Sequence, residues 1–373
     1  MVPALVSIER LNELLNDRLE ELLTELIGGA KRGRQWYAAS SRDGGIGDSL
    51  QVGLYGHKRG KWFHHAATKG GDTLGLIAYL RTGNDMKRAI AWAKDFLGGT
   101  VPEDSEDNRK LREQRARLHA AKDKREREAA EGRARYTWFK KSEDIKPGSP
   151  AWCYLDRRLQ GNLARLGRMP GCLRYVPALY NAQLDRELPA MVAAIVDAKG
   201  KMVGLHRTYL VERSDGWDRL RASDGQGRDG RELLGKKVLG SWRGCTIRLW
   251  AGNRVNTQTG EVKKGLPWPK LGPRSAILLT EGIETGLTLA LVMPARRIAC
   301  AIGVGGFVEV ELPPCFSDVT IAAENDGENI NTAASIERAK ERHAAAGRTL
   351  HIVYPPPGMD DWNTVLKEMG RAA

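Results

Sequence analysis

The sequence has 373 residues, of which 41% are hydrophobic, and a formal charge of +13. This length allows two or three domains with cores of their own, and the positive charge favours a polyanionic partner such as nucleic acid. No apolar run approaches the roughly 20 residues that span a bilayer, so we expect no membrane association, and the first residues lack the pattern of a signal peptide. Five cysteines without a Cys-x-x-Cys pair indicate a reducing cytoplasm and argue against a disulfide framework or a cysteine-bound zinc ion.

The first predicted domain covers residues 1–99 and is small and rich in β-structure. A serine cap and leucines at helical spacing predict an amphipathic helix over residues 7–27. Short strands are expected over residues 49–55 and 60–64, and a further helix over residues 70–80.

The order of these elements resembles the N-terminal zinc-ribbon domain of bacterial-type primases, through Lys61-Trp62-Phe63 and the Gly-Asp helix start that follows. The cysteine ligands of that family are missing, and the nearby histidines at positions 57, 64 and 65 lack a fourth ligand, so no zinc is expected. We interpret the domain as a metal-free nucleic-acid-binding module, with Lys61 supplying charge and Trp62 a stacking face. The alternative is a plain β-ribbon with a solvated basic edge.

Residues 100–146 are dense in Arg, Lys, Glu and Ala and contain almost no large apolar residue. Such a segment favours a helix but has no face to bury. It therefore predicts an exposed helical linker, and the alternative is a helix that follows phosphates.

The third segment, residues 147–270, predicts a mixed α+β domain. Strands are expected over residues 173–176, 190–196 and 202–210, the last two joined by a hairpin turn. A short helix precedes them, and residues 247–251 suggest another strand.

This segment resembles the subdomain that precedes the catalytic module in phage and mobile-element primase-like proteins. The resemblance implies that its basic residues hold the template and a nucleoside triphosphate, and Arg207 is expected to project into the cleft that faces the metal. An ordinary surface cation is the alternative at each position. The candidate residues are Arg157, Arg158, His206, Arg207, Lys236 and Lys237.

Acidic residues follow three apolar strands in the last segment, residues 271–373. Residues 276–290 predict a buried strand, a tight turn that carries Glu281, and a helix. Glu324 and Asp326 follow a second strand, where alternate residues point the same way, and Asp360 and Asp361 follow a third. Carboxylates at the carboxyl ends of strands lie where α/β folds bind ligands, which predicts a site for a hard cation.

These elements resemble the Toprim domain of bacterial-type primases, topoisomerases and some nucleases. The resemblance implies an α/β fold with a Rossmann-like parallel sheet and flanking helices. Glu324 stands where the family has an aspartate, and the closing acids are doubled, so either Asp360 or Asp361 could be the ligand; the sequence Asp361-Trp-Asn363 favours Asp361. The matching motifs are Glu281-Gly282, Glu324-Asn325-Asp326 and Asp360-Asp361.

On this reading Glu324, Asp326 and Asp361 hold Mg²⁺ or Mn²⁺, which prefer oxygen ligands. Glu281 is then a further ligand, or a general base or acid near the reacting oxygen. Glu284, one helical turn later, is a secondary candidate that could simply cap the helix.

The sequence therefore predicts a DNA primase that makes short RNA on single-stranded DNA from nucleoside triphosphates, of phage or mobile-element type. No Gly-x-x-x-x-Gly-Lys-Ser/Thr motif is found, so a separate replicative helicase is expected as a partner. A metal-dependent nuclease is one alternative, because the same acids would serve hydrolysis. A non-catalytic replication accessory that binds nucleic acid is the other, and the substitution at Glu324 favours it.

Overall fold

The computed structural model of the chain describes residues 7–33, 35–39, 46–64, 67, 69–99, 106–228, 230–325 and 330–372. The chain divides into two compact units, residues 1–125 and residues 126–373. Each unit is described by itself.

The first unit begins with two helices, continues as an antiparallel sheet and ends with two more helices. The sheet keeps the order of the chain, so that each strand pairs with the next. Its elements are α1 (Ile8–Asp17), α2 (Leu19–Ile27), β1 (Ala30–Arg32), β2 (Gln35–Ala39), β3 (Ile46–Gly53), β4 (Trp62–His64), β5 (Lys69–Gly71), α3 (Thr73–Arg81) and α4 (Met86–Phe96).

The helix expected over residues 7–27 is present but broken at Arg18. Ser7 caps its start, as predicted, by accepting a hydrogen bond from the backbone N–H of Arg10 at 3.2 Å. Arg18 leaves the helical conformation, with φ −105° and ψ 29°, and its guanidinium lies 4.6 Å from the ring centre of Phe96 in α4. The break therefore divides the predicted helix into α1 and α2.

Trp62 is a core residue, and its interpretation as an exposed stacking face is wrong. Its side chain is 6% exposed, its ring stacks on Tyr79 at 4.9 Å, and its indole N–H donates to the Asp72 carbonyl at 2.9 Å. A base cannot reach a ring that is already covered on the inside of the sheet. Lys61 is exposed, and its contact with nucleic acid stays a prediction.

His64 also uses its side chain inside the first unit, where its Nδ1 lies 2.7 Å from the Tyr79 hydroxyl. The side chains of the other two histidines considered for a metal, at positions 57 and 65, lie outside what the structure describes.

The second unit contains a middle sheet that matches the predicted strands. Helix α5 (Glu106–Tyr136), which contains the boundary between the units, leads through a π-helical turn over Thr137–Lys141 to α6 (Pro150–Arg158). The sheet is antiparallel in the order β10-β8-β7-β6, and β9 also pairs with β8. Its strands are β6 (Leu173–Asn181), β7 (Arg186–Val196), β8 (Met202–Arg213), β9 (Gly216–Arg219) and β10 (Lys236–Gly240).

The C-terminal sheet has four parallel strands and one antiparallel edge strand, in the order β11-β15-β14-β16-β17. The strands β12 and β13 form a separate hairpin. The elements are β11 (Ile247–Trp250), β12 (Asn253–Val255), β13 (Val262–Lys264), β14 (Ser275–Thr280), α7 (Ile283–Val292), β15 (Ile298–Cys300), α8 (Val304–Glu309), β16 (Phe316–Ala322), α9 (Ile330–Ala345), β17 (Thr349–Val353) and α10 (Trp362–Ala372). The predicted α/β fold, with a parallel sheet and flanking helices after a mixed domain, is confirmed.

Both faces of the C-terminal sheet are covered, which explains why β14 is apolar at successive positions. Leu278 packs into the core shared with α7 and the middle sheet, whereas Ile277 and Leu279 pack into the core under α8 and α9. Edge strand β11 comes from the segment expected to belong to the middle domain. It follows a backbone bridge between Val196 and Thr246, which connects the two sheets.

Among the residues described, no helix is both long and apolar enough to cross a membrane.

The sequence Val304-Gly305-Gly306 in α8 provides a test of this packing. A Cβ atom on Gly306 would lie 1.7 Å from the Ala301 carbonyl oxygen, whereas one on Gly305 would have no neighbour within 4 Å. We expect Gly306→Ala to lower the free energy of unfolding by about 2 kcal/mol or more, because backbone must move to admit the methyl group. Urea denaturation measures the change.

Gly305→Ala is the matched control, because alanine favours a helix over glycine and meets no obstacle here. It should leave stability unchanged or slightly raised. Equal losses for the two substitutions would show that α8 does not approach the end of β15 as described.

Candidate metal centre

The parallel strands end level with one another, at the edge where the sequence places its carboxylates. Thr280 pairs with Cys300 and with Ala322, and Ala322 pairs with Val353, so the last residues of four strands form one row. Glu281 follows β14 directly, and Glu324 lies two residues beyond β16. The topology therefore brings these two acids to the same edge.

The turn that carries Glu281 is fixed through its backbone. The Gly303 N–H donates to the Glu281 carbonyl at 3.1 Å, and the Thr280 hydroxyl and the Cys300 thiol donate to the Gly282 carbonyl at 3.0 and 3.3 Å. Glu281 is half-buried. Its position is thus set by neighbouring strands and does not depend on a mobile loop.

Helix α7 lies close to the sheet because Gly286 has no side chain. A Cβ atom there would lie 2.5 Å from Leu249 Cδ2 and 3.0 Å from Thr280 Oγ1. The second glycine of Glu281-Gly-Ile-Glu-Thr-Gly286 therefore allows the helix to start tightly against β14 and β11.

Glu324 is tied to the first turn of α7. The Thr285 hydroxyl, which is buried, donates to Glu324 Oε1 at 2.7 Å. Since α7 begins two residues after Glu281, this hydrogen bond places the strand-end loops of β14 and β16 beside each other.

The loop after β17 is bound to the loop after β16 by Asn325. The Asn325 N–H donates to the Asp360 carbonyl at 2.8 Å, and its side-chain amide donates to the carbonyls of Met359 and Pro355 at 2.6 and 3.3 Å. The Trp362 indole N–H donates to the Ala323 carbonyl at 2.9 Å. The middle residue of Glu324-Asn325-Asp326 thus holds the acidic pair Asp360-Asp361 near Glu324.

The two closing acids have different surroundings. Asp361 Oδ1 caps α10 by accepting hydrogen bonds from the backbone N–H and the hydroxyl of Thr364 at 2.7 and 2.8 Å, whereas Asp360 is exposed. Asn363 accepts a hydrogen bond from Thr288 of α7 at 2.6 Å. The sequence Asp361-Trp-Asn363 therefore has a structural role through Asp361 Oδ1 and Asn363, and the choice between Asp360 and Asp361 as a cation ligand stays a prediction.

Asp326 lies outside the described residues. Among those that are described, no group of three or more His, Cys, Asp or Glu side chains is arranged to hold a metal ion. The oxygen donors Glu281, Glu324, Asp360 and Asp361 at one sheet edge have the chemistry that Mg²⁺ and Mn²⁺ require, and the role of Asp326 as a ligand stays a prediction.

Glu284 is the centre of a buried polar cluster between α7 and the middle sheet. Its carboxylate is almost fully buried and pairs with the Lys236 ammonium at 2.8 Å, and it accepts a hydrogen bond from the Tyr154 hydroxyl of α6. Burial by itself would raise the pKa of Glu284, but the charge and hydrogen bond of Lys236 and the hydrogen bond of Tyr154 hold that pKa well below its usual range. Burial and the Glu284 charge raise the pKa of Tyr154.

His206 faces the same cluster as a neutral side chain. Burial, followed by the positive charge of Lys236, lowers the pKa of His206 to about 4. Its Nδ1 is buried and has no hydrogen-bond partner among the described atoms. The imidazole is therefore uncharged at neutral pH and can contact a ligand only as a neutral hydrogen-bonding group.

Arg207 and Lys237 lie on the other face of the middle sheet. They are paired in the β8–β10 register, and both lie 5.9 Å from the ring centre of Tyr209, which packs into a core different from the one that contains α7. The expectation that Arg207 projects toward the metal is therefore wrong, because successive residues of a strand point to opposite faces. Contact of these two residues with nucleic acid stays a prediction.

The two arginines at the end of α6 also differ. Arg157 forms an exposed salt bridge with Asp215. Arg158 is half-buried, its Nε has no hydrogen-bond partner among the described atoms, and its charge acts on Tyr154. Sequence reasoning selected both arginines but missed Tyr154, whose only signal was its place one turn before Arg158.

Two domain families match the sequence. The family described as "Domain of unknown function (DUF7146)" matches residues 128–249, and the Toprim domain family matches residues 276–372. The second match covers the parallel sheet and all its strand-end acids, so the C-terminal part of this protein is a Toprim domain. The recognition of a Toprim domain from the sequence is confirmed. No curated protein matches the sequence.

Among solved structures, the chain is similar to primase catalytic cores. The DnaG catalytic core is 16% identical with a TM-score of 0.30, over 49% of this chain and 50% of that one. The E. coli primase catalytic core is 16% identical with a TM-score of 0.31, over 61% and 59%, and a DnaG primase catalytic domain bound to single-stranded DNA is 14% identical with a TM-score of 0.30, over 58% and 67%. The chain spans half to two thirds of the length of these structures.

The pair of Glu284 and Lys236 can be tested by a double-mutant cycle. Lys236→Met leaves a buried carboxylate without its counter-ion and is expected to lower the free energy of unfolding by about 3 kcal/mol at neutral pH. The double variant Lys236→Met/Glu284→Gln should lose less than Lys236→Met alone, since no unpaired charge remains. Denaturation of the four proteins gives the coupling free energy.

The dependence of this coupling on pH separates an ion pair from ordinary packing. The folded pKa of Glu284 lies below the unfolded value of about 4.3, so its contribution is fully present above that pH and is lost as the pH falls toward the folded pKa. A coupling that did not change between neutral and acidic pH would contradict the assignment.

Proposed function

We propose that this protein is a primase-type nucleotidyltransferase that joins nucleoside triphosphates into short RNA on a single-stranded DNA template. The observation that carries the proposal is the buried cluster of Glu284, Lys236 and Tyr154, which joins a Toprim domain to a basic sheet. Glu284, at the centre of this cluster, lies three residues after Glu281 in the sequence. A nucleic acid or nucleotide held on the face of the middle sheet that carries Lys236 would thus lie beside the strand-end acids.

In the proposed reaction, Glu281, Glu324, Asp326 and Asp360 or Asp361 bind the metal. Bound Mg²⁺ or Mn²⁺ would supply the charge that makes a 3′-hydroxyl a better nucleophile and stabilises the leaving pyrophosphate. Glu281, fixed by the turn after β14, is positioned to orient the reacting hydroxyl or to exchange a proton with it. Thr285 keeps Glu324 turned toward α7 and so limits its conformations.

The cations near the buried cluster would bind the triphosphate or the template. Arg158 and Arg219 both act electrostatically on Tyr154, and Arg219 is exposed. Guanidinium groups suit phosphate, because they can donate two parallel hydrogen bonds. Lys236 would contribute less to this binding, since Glu284 already neutralises it.

A separate helicase and a cytoplasmic location are also part of the proposal. The five cysteines are all thiols in the structure, which supports a reducing compartment. The high positive charge supports an anionic partner.

Incorporation of labelled nucleoside triphosphates on circular single-stranded DNA tests the proposal. We expect short products that require Mg²⁺ or Mn²⁺, and at least about 100-fold lower rates for Glu281→Gln and Glu324→Gln, since each removes a carboxylate charge from the metal edge. Glutamine can still accept the hydrogen bond of Thr285, so Glu324→Gln should fold normally.

Asp318→Asn is the matched control, because Asp318 lies near the amino end of the same strand that precedes Glu324. Its rate should stay within about twofold of wild type. Metal-dependent cutting of the DNA without products would identify a nuclease, and salt-sensitive binding with neither activity would identify an accessory protein.

A further inference from the structure

A cavity of about 450 Å³ lies at the opposite edge of the C-terminal sheet from the carboxylates. Trp250 ends β11, which runs antiparallel to β15 and pairs Trp250 with Ile298, the first residue of β15. Arg297 directly precedes that strand. The cavity therefore lies at the amino end of the parallel strands.

Four cationic side chains converge on this cavity: Arg168, Arg248, Lys264 and Arg297. No aspartate or glutamate is found among the described residues that line it, and none of the four cations forms a salt bridge within the described part of the chain. Burial lowers the pKa of each of the three arginines. Positive charge is thus concentrated in a partly desolvated place: the charge of Asp197 acts on Arg248, but no acid among the described residues lines the cavity, which favours entry of an anion.

Two tryptophans fix the positions of two of these arginines. The Arg168 guanidinium lies 4.0 Å from the ring centre of Trp250, and the Arg248 guanidinium lies 4.0 Å from that of Trp268. Both tryptophans are buried. A guanidinium held over an indole ring is pre-organised, so little conformational entropy is lost when it donates to a ligand.

The arginines also retain donors for a ligand. Arg248 uses Nη2 to donate to the carbonyls of Asp197 and Ala198, both at 3.0 Å, while its Nε is buried without a partner among the described atoms. Arg297 uses Nη2 to donate to the Leu266 carbonyl at 2.7 Å. These bonds anchor the side chains to backbone and leave other N–H groups of the fork available.

We propose that this cavity binds a phosphate group, supplied by a nucleic-acid strand or by a free nucleotide. Phosphate matches the charge and the fork geometry of the arginines, and the volume admits a nucleotide-sized group. The adjoining hairpin of β12 and β13 adds the exposed Arg254 to this positive surface, whereas Lys263 opposite it pairs with Glu261 at 3.0 Å. A further cation beside the cavity favours a strand as the source. The described residues that line the cavity do not include the strand-end acids, and the site does not depend on the proposed catalytic reaction.

Fluorescence anisotropy with a labelled oligothymidylate and the full-length chain, in EDTA and without divalent metal, tests the proposal apart from any activity. We expect Lys264→Gln and Arg297→Gln each to weaken binding about 3- to 10-fold and to reduce the slope of log affinity against log salt by about one. Lys340→Gln on α9, beside the far edge strand β17, removes the same charge and should change affinity by less than about twofold.

Competition with ATP distinguishes the two sources of phosphate. Displacement of the strand by ATP, with ATP binding also weakened in both variants, would assign the site to a free nucleotide; failure of ATP to compete would assign it to the strand. Because Lys264 is exposed, Lys264→Gln should fold normally, and its binding tests the proposal even if Arg297→Gln lowers the melting temperature. The proposal would be overturned if Lys264→Gln and Arg297→Gln both bound the oligothymidylate as tightly as Lys340→Gln does.

Discussion

The salt bridge between Glu284 and Lys236 is the interaction on which the arrangement of this protein's second unit depends. It joins the first turn of α7 to strand β10, and Tyr154 adds a hydrogen bond from α6. A buried pair of this kind contributes little net free energy, because desolvation offsets the attraction, but removal of one partner is costly. The cluster thus joins α6, β10 and α7 at one buried point, where loss of either charge would leave the other without its partner.

The contact between Glu284 and Lys236 lies one helical turn from the acids at the carboxyl edge of the C-terminal sheet. Glu281 lies two residues before α7, and Thr285 in the first turn of this helix holds Glu324. Asn325 then holds the loop that carries Asp360. The acids at this edge are therefore linked to the domain interface through a short chain of hydrogen bonds, and a shift of α7 would move all of them.

The two edges of the C-terminal sheet have opposite electrostatic character. Its carboxyl edge carries Glu281, Glu324 and Asp360, which suit a cation, while three arginines and a lysine line the cavity at its amino edge. A polyanion held at the amino edge would be attracted there and repelled from the bare carboxylates at the other end. On the account proposed here, a metal ion is what makes the carboxyl edge acceptable to phosphate.

Much of the C-terminal architecture could be predicted from the sequence, because its strands are short apolar runs that end in turns. The strands around Glu281 and Glu324 and the hairpin of β7 and β8 are present where they were expected. The face to which Arg207 points was predicted wrongly, since it depends on how β8 and β10 pair and pack in the sheet. The partner of Glu284 was not predicted either, because Lys236 lies 48 residues before it in the sequence.

The positions of Trp62 and of edge strand β11 also depend on contacts between distant segments, which the local sequence does not show. A tryptophan among basic residues resembles a stacking surface in sequence, and only the packing of Tyr79 against it shows that it belongs to the core. Strand β11 follows the middle sheet in the chain but pairs with β15, a contact that local periodicity does not encode. The arginines of the amino-edge cavity were missed for this reason, because they come from separate segments that only the fold brings together.

The most direct test of the account is whether the strand-end acids form one metal centre. Titration with Mn²⁺, followed by electron paramagnetic resonance, measures its affinity for wild type, Glu281→Gln, Glu324→Gln and the control Asp318→Asn. The account predicts that wild type and the control bind alike, and that each glutamine variant binds at least about tenfold more weakly. Equal affinity in all four proteins would show that these carboxylates do not share a metal ion.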